Sequence, residues 1–204
     1  MKENKYIDLS LLLTKDTPVF PGEPEIVFRQ HAIIGKNNYN EHQITINTHF
    51  GTHMDFPFHM INNGKKSNEF NLDKFIGKGK VIDIYQPDLN LNDEDVFLLY
   101  SGHIEKGVKN LFINIPILDE NLIDFLISKN PKMILLDIPT PDEFPYPIHK
   151  KLLGKDILIV ENVCNMKLLI NKKFKIYAIP LNFDEFDGSP CRVFAEVEQW
   201  NLLQ

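Results

Sequence analysis

Between positions 49 and 59 the chain reads His49-Phe50-Gly51-Thr52-His53-Met54-Asp55-Phe56-Pro57-Phe58-His59, placing three imidazoles and a carboxylate in one short stretch. Imidazole nitrogen and carboxylate oxygen are the usual non-thiolate ligands of zinc and other first-row metals, and a carboxylate can bridge two ions. If the strand that starts near Gln43 continues through this stretch, positions 49, 51, 53 and 55 project to one face. His49, His53 and Asp55 then converge, with Gly51 leaving space between them. Pro57 breaks the ladder, and a loop folding His59 back toward the same point gives it the reach for acid-base work. A lone histidine on a strand is more often a hydrogen-bonded structural residue, and Asp55 before Phe56-Pro57 is equally readable as a turn cap. Four such groups beside Phe50, Phe56 and Phe58 are harder to explain structurally, because burying them without a metal or charge partners costs several kcal/mol.

The elements that must hold this stretch are mostly strands. Runs rich in Ile, Val, Phe and Leu occur at about 25 to 33, 42 to 50, 78 to 85, 95 to 101, 132 to 138, 155 to 161, 173 to 181 and 191 to 197. Helical periodicity is clearest from Leu118 to Lys129, where Leu122, Ile123, Phe125, Leu126 and Ile127 make an apolar face and Asn130-Pro131 supplies a stop. A second, weaker helix is expected over 146 to 153. No linker, repeat or low-complexity tract divides the chain, so the expectation is one α/β domain over 1–204, with mixed β-sheets and few helices.

Composition narrows the partners. With 204 residues and 43% hydrophobic content the chain can bury a sizeable core. A net charge of -6 argues against nucleic acid, which calls for clustered Lys and Arg. No run approaches the roughly 20 apolar residues that span a bilayer, and Met1-Lys2-Glu3-Asn4-Lys5 begins no targeting signal. Cys164 and Cys191 make neither a disulfide framework nor a thiolate zinc site and suit a reducing compartment, so a cytoplasmic protein is expected. Nucleophile elbows, His-Glu-x-x-His helices, phosphate loops and dinucleotide fingerprints are all missing from the sequence. Ser101 reads as part of a turn, Cys164 as a small buried hydrophobe, and His31, His42 and His103 as structural or surface residues.

The pattern His-x-Gly-Thr-His-x-Asp-x-Pro-x-His, filled at every fixed position by His49 to His59, resembles the signature of the cyclase-like metal hydrolases that include bacterial kynurenine formamidase and isatin hydrolase. The resemblance extends to Thr17-Pro18-Val19-Phe20-Pro21-Gly22, similar to the family's N-terminal substrate loop, and to Asp187-Gly188-Ser189-Pro190-Cys191-Arg192, similar to its C-terminal turn. His149, followed twelve residues later by Glu161, is similar to a further segment of the family. The resemblance implies a swivelling β/β/α fold, with His49, His53 and Asp55 as ligands of one metal and His149 as a ligand of a second. It also implies that Asp55 and Glu161 are shared between the ions and that the protein assembles as a homodimer or larger oligomer. Without it, His149 and Glu161 read as surface residues. Formamidases of this family tend to have Trp where Phe20 stands; Phe20 keeps the aromatic wall of the substrate site and loses the indole donor. The segment from Asp137 to Ile148 is shorter and richer in proline than a formamidase leads one to expect.

The chemistry expected of such a site is hydrolysis of an amide or lactam in a small molecule. A bound divalent ion, zinc first with manganese or iron as alternatives, lowers the pKa of water from roughly 15.7 toward about 7. His59, free of metal, is the expected proton carrier. Phe20, Phe56 and Phe58 are candidate walls for a planar substrate, with core packing an equal account of the last two. The alternatives are a metal-dependent binding or regulatory protein without turnover, and a cyclase or dehydratase acting on a carbonyl compound.

Overall fold

Val96-Phe97-Leu98-Leu99, Met133-Ile134-Leu135-Leu136 and Leu158-Ile159-Val160 have no polar break, so each strand they form must be buried on both faces. The computed structural model, which describes residues 5–198, satisfies that demand with a closed barrel. Its strands are β1 (Tyr6–Asp8), β2 (Val27–Ala32), β3 (Glu41–Thr45), β4 (His53–Asp55), β5 (Ile76–Asp83), β6 (Val96–Tyr100), β7 (Met133–Leu136), β8 (Leu158–Glu161), β9 (Phe174–Pro180) and β10 (Gly188–Val197). The helices are α1 (Ile34–Asn37), α2 (Glu120–Ser128) and α3 (Pro147–Leu153). The strands run β10-β4-β8-β7-β6-β5-β9 and close through the pairing of β9 with β10, while β1 lies outside against β10. Closure leaves the seven strands no open edge. The β5, β6, β7 and β8 strands are parallel, and β4, β9 and β10 complete the ring antiparallel. Residues Met1 to Asn4, part of the N-terminal targeting argument, lie outside the described residues.

Alternation along the parallel strands builds two cores. Val96, Leu98, Met133, Leu135, Leu158 and Val160 meet Met54, Ile176, Ala178, Val193 and Ala195 in one cluster. Phe97, Leu99, Ile134, Leu136 and Ile159 pack on the other face against Leu122, Ile123 and Leu126 of α2 and Ile148, Leu152 and Leu153 of α3. Helix α2 starts where Asp119 accepts a hydrogen bond from the Asn121 N–H, and Pro147 occupies the first turn of α3, where no intrahelical donor is needed.

One expectation fails. The run at 42 to 50 does not continue as a strand through the histidine motif. β3 ends at Thr45 and pairs with β2 in a separate two-stranded sheet, and β4 is limited to His53–Asp55. Between them the chain turns, with Phe50 N–H donating to Asn47 O (3.3 Å) and Gly51 at φ +67°. Tertiary contacts enforce the break. The Thr52 hydroxyl donates to Asn162 O (2.7 Å) and accepts from Leu11 N–H (2.8 Å), and a Cβ on Gly51 would come within 2.2 Å of Leu13.

Candidate metal centre

On β4, period-two alternation sends Met54 into the barrel core and turns His53 and Asp55 to the opposite face, where they are buried. The antiparallel pairing of β4 with β8 places His53 opposite Glu161, so His53 Nε2 stands 3.3 Å from Asp55 Oδ1 and 3.4 Å from Glu161 Oε2. His149, carried on the buried side of α3, brings Nε2 to 3.4 Å from Glu161 Oε1 and 3.9 Å from Asp55 Oδ2. His49 reaches the group from the turn before β4 rather than from a strand, with Nδ1 2.8 Å from Asp55 Oδ1. His59, at the end of the 3₁₀ turn Pro57–His59, lies with its ring centroid 4.1 Å from that of His49. The structure therefore brings His49, His53, Asp55, His59, His149 and Glu161 to one place.

The donor atoms fall into two groups that share Asp55, one with His49 and His59 and the other with His53 and Glu161. The chemistry of this set fits a divalent cation. Glu161 Oε1 is buried with no hydrogen-bond partner, and such an orphaned acceptor costs about 1–3 kcal/mol unless a cation or donor meets it. Two of the imidazoles are fixed from behind: His53 Nδ1 donates to Gly51 O (2.9 Å) and His149 Nδ1 to Asp142 Oδ1 (2.5 Å), which leaves each Nε2 facing the carboxylates.

Electrostatics point the same way. Burial pulls the His49 pKa down, but the carboxylates of Asp55 and Asp187 outweigh it and raise it to about 9. Burial likewise opposes the rise of His53 and His149, each carried to about 10, the first by Asp55 and Glu161 and the second by Asp142 and Glu161. Burial alone would raise Asp55, yet the neighbouring His49 and His53 hold it well below the usual carboxylate range. Protons and a cation thus compete for the same nitrogens.

Two further carboxylates here are given no role by sequence reasoning, although Asp187 opens the Asp187-to-Arg192 turn that carries part of the resemblance. Asp187, just before β10, places Oδ2 2.9 Å from His49 Nε2 and 3.4 Å from His59 Nδ1, and those two imidazoles hold its pKa far below normal. Asp142, in the proline-rich loop, also accepts the backbone N–H of Ile148 at the start of α3.

Above the donor set opens a cavity of about 300 Å³ whose walls include Phe20, Phe50, Phe112 and Tyr146. Phe20 meets Phe112 edge to face with centroids 5.5 Å apart. Phe56 and Phe58 are not part of this wall. Phe56 is fully buried in the barrel core, and Phe58 is exposed under the ammonium of Lys66, because the 3₁₀ turn after β4 swings both away from the donor face. A larger surface concavity, of about 700 Å³, is lined by ion-paired side chains such as Lys78 with Asp93 and Lys80 with Asp88 and, among the described residues, holds no comparable ligand set. The Ser101 hydroxyl is spent on Asp137 (2.7 Å), and buried His103 directs Nε2 to Leu111 O (2.8 Å).

Known proteins align with this chain along nearly its whole length. Kynurenine formamidase from Bacillus mycoides (strain KBAB4) is 29% identical over 211 aligned residues, covering 94% of this chain and 97% of its own. Two solved structures share the fold. Isatin hydrolase A from Labrenzia aggregata, bound to benzyl benzoate, superposes with a TM-score of 0.81 at 22% identity, covering 93% of this chain and 92% of its own. An isatin hydrolase bound to the product analogue thioisatinate also gives 0.81, at 18% identity and with 93% and 91% covered. Residues 7–143 match the family model described as "Putative cyclase", and the chain belongs to that family.

Proposed function

We propose that this chain is a metal-dependent hydrolase that cleaves the C–N bond of a small arylformamide or cyclic amide. In this reading His49, His53, Asp55, His149 and Glu161 are the metal donors, His59 is the proton carrier, and Phe20 is a substrate contact. The observation that carries it is the convergence of two buried carboxylates and three imidazoles beneath an aromatic-walled cavity of about 300 Å³. The full-length similarity to a kynurenine formamidase supports an arylformamide, and the fold shared with isatin hydrolases supports a cyclic amide.

A divalent ion held by these donors supplies water acidified toward neutral pH and a Lewis acid for the acyl oxygen. Zinc is the proposed metal, with manganese or iron compatible with the same ligands, and one or two ions per chain are proposed, with Asp55 and Glu161 as the carboxylates shared between them. The protein's own residues do the rest. Phe20, Phe112, Phe50 and Tyr146 hold a planar ring and exclude bulk water from the donor floor. His59 takes the proton of the attacking water and returns one to the leaving nitrogen. Among the described residues no Lys or Arg lines the cavity, so a substrate with an uncharged reacting end suits it better than one relying on a carboxylate contact.

The residues 1–204 are proposed to act as one unit, as a cytoplasmic homodimer or larger oligomer. Support for assembly comes from the β2–β3 arm, where Val27, Phe28 and Ile44 are exposed on a two-stranded sheet that is marginal alone in water. Support for a reducing compartment comes from two unpaired cysteines, of which Cys164 is pushed up to about 11 by burial and is correspondingly unreactive.

The test is elemental analysis of protein purified without added metal, followed by turnover of N-formylkynurenine, formanilide and isatin with zinc, manganese or iron supplied. Turnover of at least one amide in the loaded protein and none after chelation is expected. Full metal loading with no turnover across amides, lactams and esters would leave a binding or regulatory protein as the better account.

A further inference from the structure

Asp187 sits where one carboxylate can govern two imidazoles. Its own position is fixed by backbone, because Asp187 O accepts the Phe56 N–H (2.9 Å) and the next residue, Gly188, pairs with Asp55 across β10 and β4. Gly188 also gives the His49 ring a flat floor: a Cβ there would lie 2.5 Å from His49 Cε1 and 2.8 Å from Nε2, so any larger residue displaces the ring. On the side chain, the Thr48 hydroxyl donates to Oδ1 (3.2 Å) and thereby orients Oδ2 toward the histidines. Oδ2 then meets His49 Nε2 at 2.9 Å and His59 Nδ1 at 3.4 Å.

We propose that Asp187 is the positioning residue of the centre, setting the tautomers of His49 and His59 together. With Nε2–H of His49 donated to Asp187, the lone pair of His49 is on Nδ1, the nitrogen 2.8 Å from Asp55 and directed at the donor set. With Nδ1–H of His59 donated to the same oxygen, the lone pair of His59 is on Nε2, the atom left to accept a proton at the cavity wall. Asp187 is the ion-pair partner of the His59 ring. A separate acceptor for each imidazole would fix one ring at a time; the shared oxygen fixes both at once, with their planes 37° apart at 4.1 Å. The role given to His59 Nε2 rests on the hydrolase reading, whereas the tautomers themselves do not.

The experiment reads them without substrate. Zinc-loaded protein with ¹⁵N-labelled histidine is examined by long-range ¹H–¹⁵N correlation, with His59→Asn used to assign the His59 signals, and zinc affinity is measured by chelator competition. In the wild type, His59 is expected as a single Nδ1–H tautomer. In Asp187→Asn, His59 should lose that single tautomer and zinc affinity should fall about 10- to 100-fold, the usual effect of removing the partner behind a ligating histidine. Asp187→Glu keeps the charge but not its placement and should not restore the tautomer. A wild-type His59 found as the Nε2–H tautomer overturns the proposal whether or not either variant folds. So does Asp187→Asn with unchanged tautomer and affinity. Failure of every amide substrate, by contrast, would overturn the hydrolase reading and leave these results standing.

Discussion

His53 and Glu161 face each other across the β4–β8 ladder, with Nε2 of one 3.4 Å from Oε2 of the other. Strand register therefore sets their separation, and no loop conformation enters it. A slip of one residue would turn His53 into the barrel core and bring Met54 to the donor face, so the pattern that builds the core also builds the site. The same logic holds for Asp55, two positions along β4, and for Gly188, its partner on β10.

Because Glu161 is buried and its Oε1 has no hydrogen-bond partner, its substitution should be felt first in metal content. Glu161→Gln and His53→Ala, dialysed and analysed for metal, are each expected to lose more affinity than the about 10- to 100-fold that follows loss of a ligand's hydrogen-bond partner. Wild-type stoichiometry and affinity in both would remove them from the ligand set.

Asp142 is expected to give the smaller effect that defines a supporting residue. It holds His149 by Nδ1 while accepting the Ile148 N–H at the first turn of α3, so Asp142→Asn keeps the shape and loses the charge. Zinc affinity should weaken about 10- to 100-fold, with far-ultraviolet circular dichroism unchanged. An affinity equal to wild type would mean that α3 packing alone aims His149.

How much of this was legible from sequence follows from where each donor sits. His49, His53, Asp55 and His59 announce themselves because they are crowded into eleven positions. The expected single strand was nevertheless wrong, since the break after Thr45 depends on Thr52 bonding to Asn162 and Leu13 packing over Gly51, contacts with segments remote in sequence. His149 and Glu161 carry no local signal at all; only resemblance pointed to them, and both are buried rather than on the surface. The helices at 120–128 and 147–153 were readable from periodicity and proline placement. Asp142 was not, because a single carboxylate in a loop looks like solvated surface, and Asp187 was marked only as the first residue of the Asp187-to-Arg192 turn that carried the resemblance, with no role read for it. The available hints were Gly188, needed under the His49 ring, and the spacing of Asp142 ahead of the first turn of α3.

Proton competition gives a pH prediction of definite sign. In the metal-free protein His49 is raised from 6.5 to about 9, and His53 and His149 to about 10, each by neighbouring carboxylates. Raised imidazoles stabilise the fold fully below the unfolded value of 6.5 and lose that contribution as pH climbs through about 9 to 10. The melting temperature of metal-free protein should therefore fall between about pH 6.5 and 10 more steeply than that of zinc-loaded protein, in which the proposed ligand imidazoles would already be neutral. Zinc affinity has the opposite dependence: it weakens as pH falls, by up to about tenfold per pH unit for each imidazole that must release a proton. Calorimetric melting and chelator competition across this range check both, and a pH-independent zinc affinity between 6 and 9 would show that these rings are not ligands.

His59 separates catalysis from binding. It stands beside His49 at the cavity wall and is paired with Asp187, and the proposed donor set of His49, His53, Asp55, His149 and Glu161 does not include it. His59→Ala should therefore keep wild-type metal content while losing about 10²- to 10⁴-fold in kcat, with KM changed far less, because proton transfer is made only in the transition state. Elemental analysis and steady-state kinetics on the same preparation decide it. The grouping of His59 with His49 and Asp55 as potential ligands gives the contrary outcome a clear meaning. If metal and activity are lost together, His59 is a ligand and the proton carrier must be sought elsewhere. If activity survives, the ionised water held by the donor set needs no side-chain base.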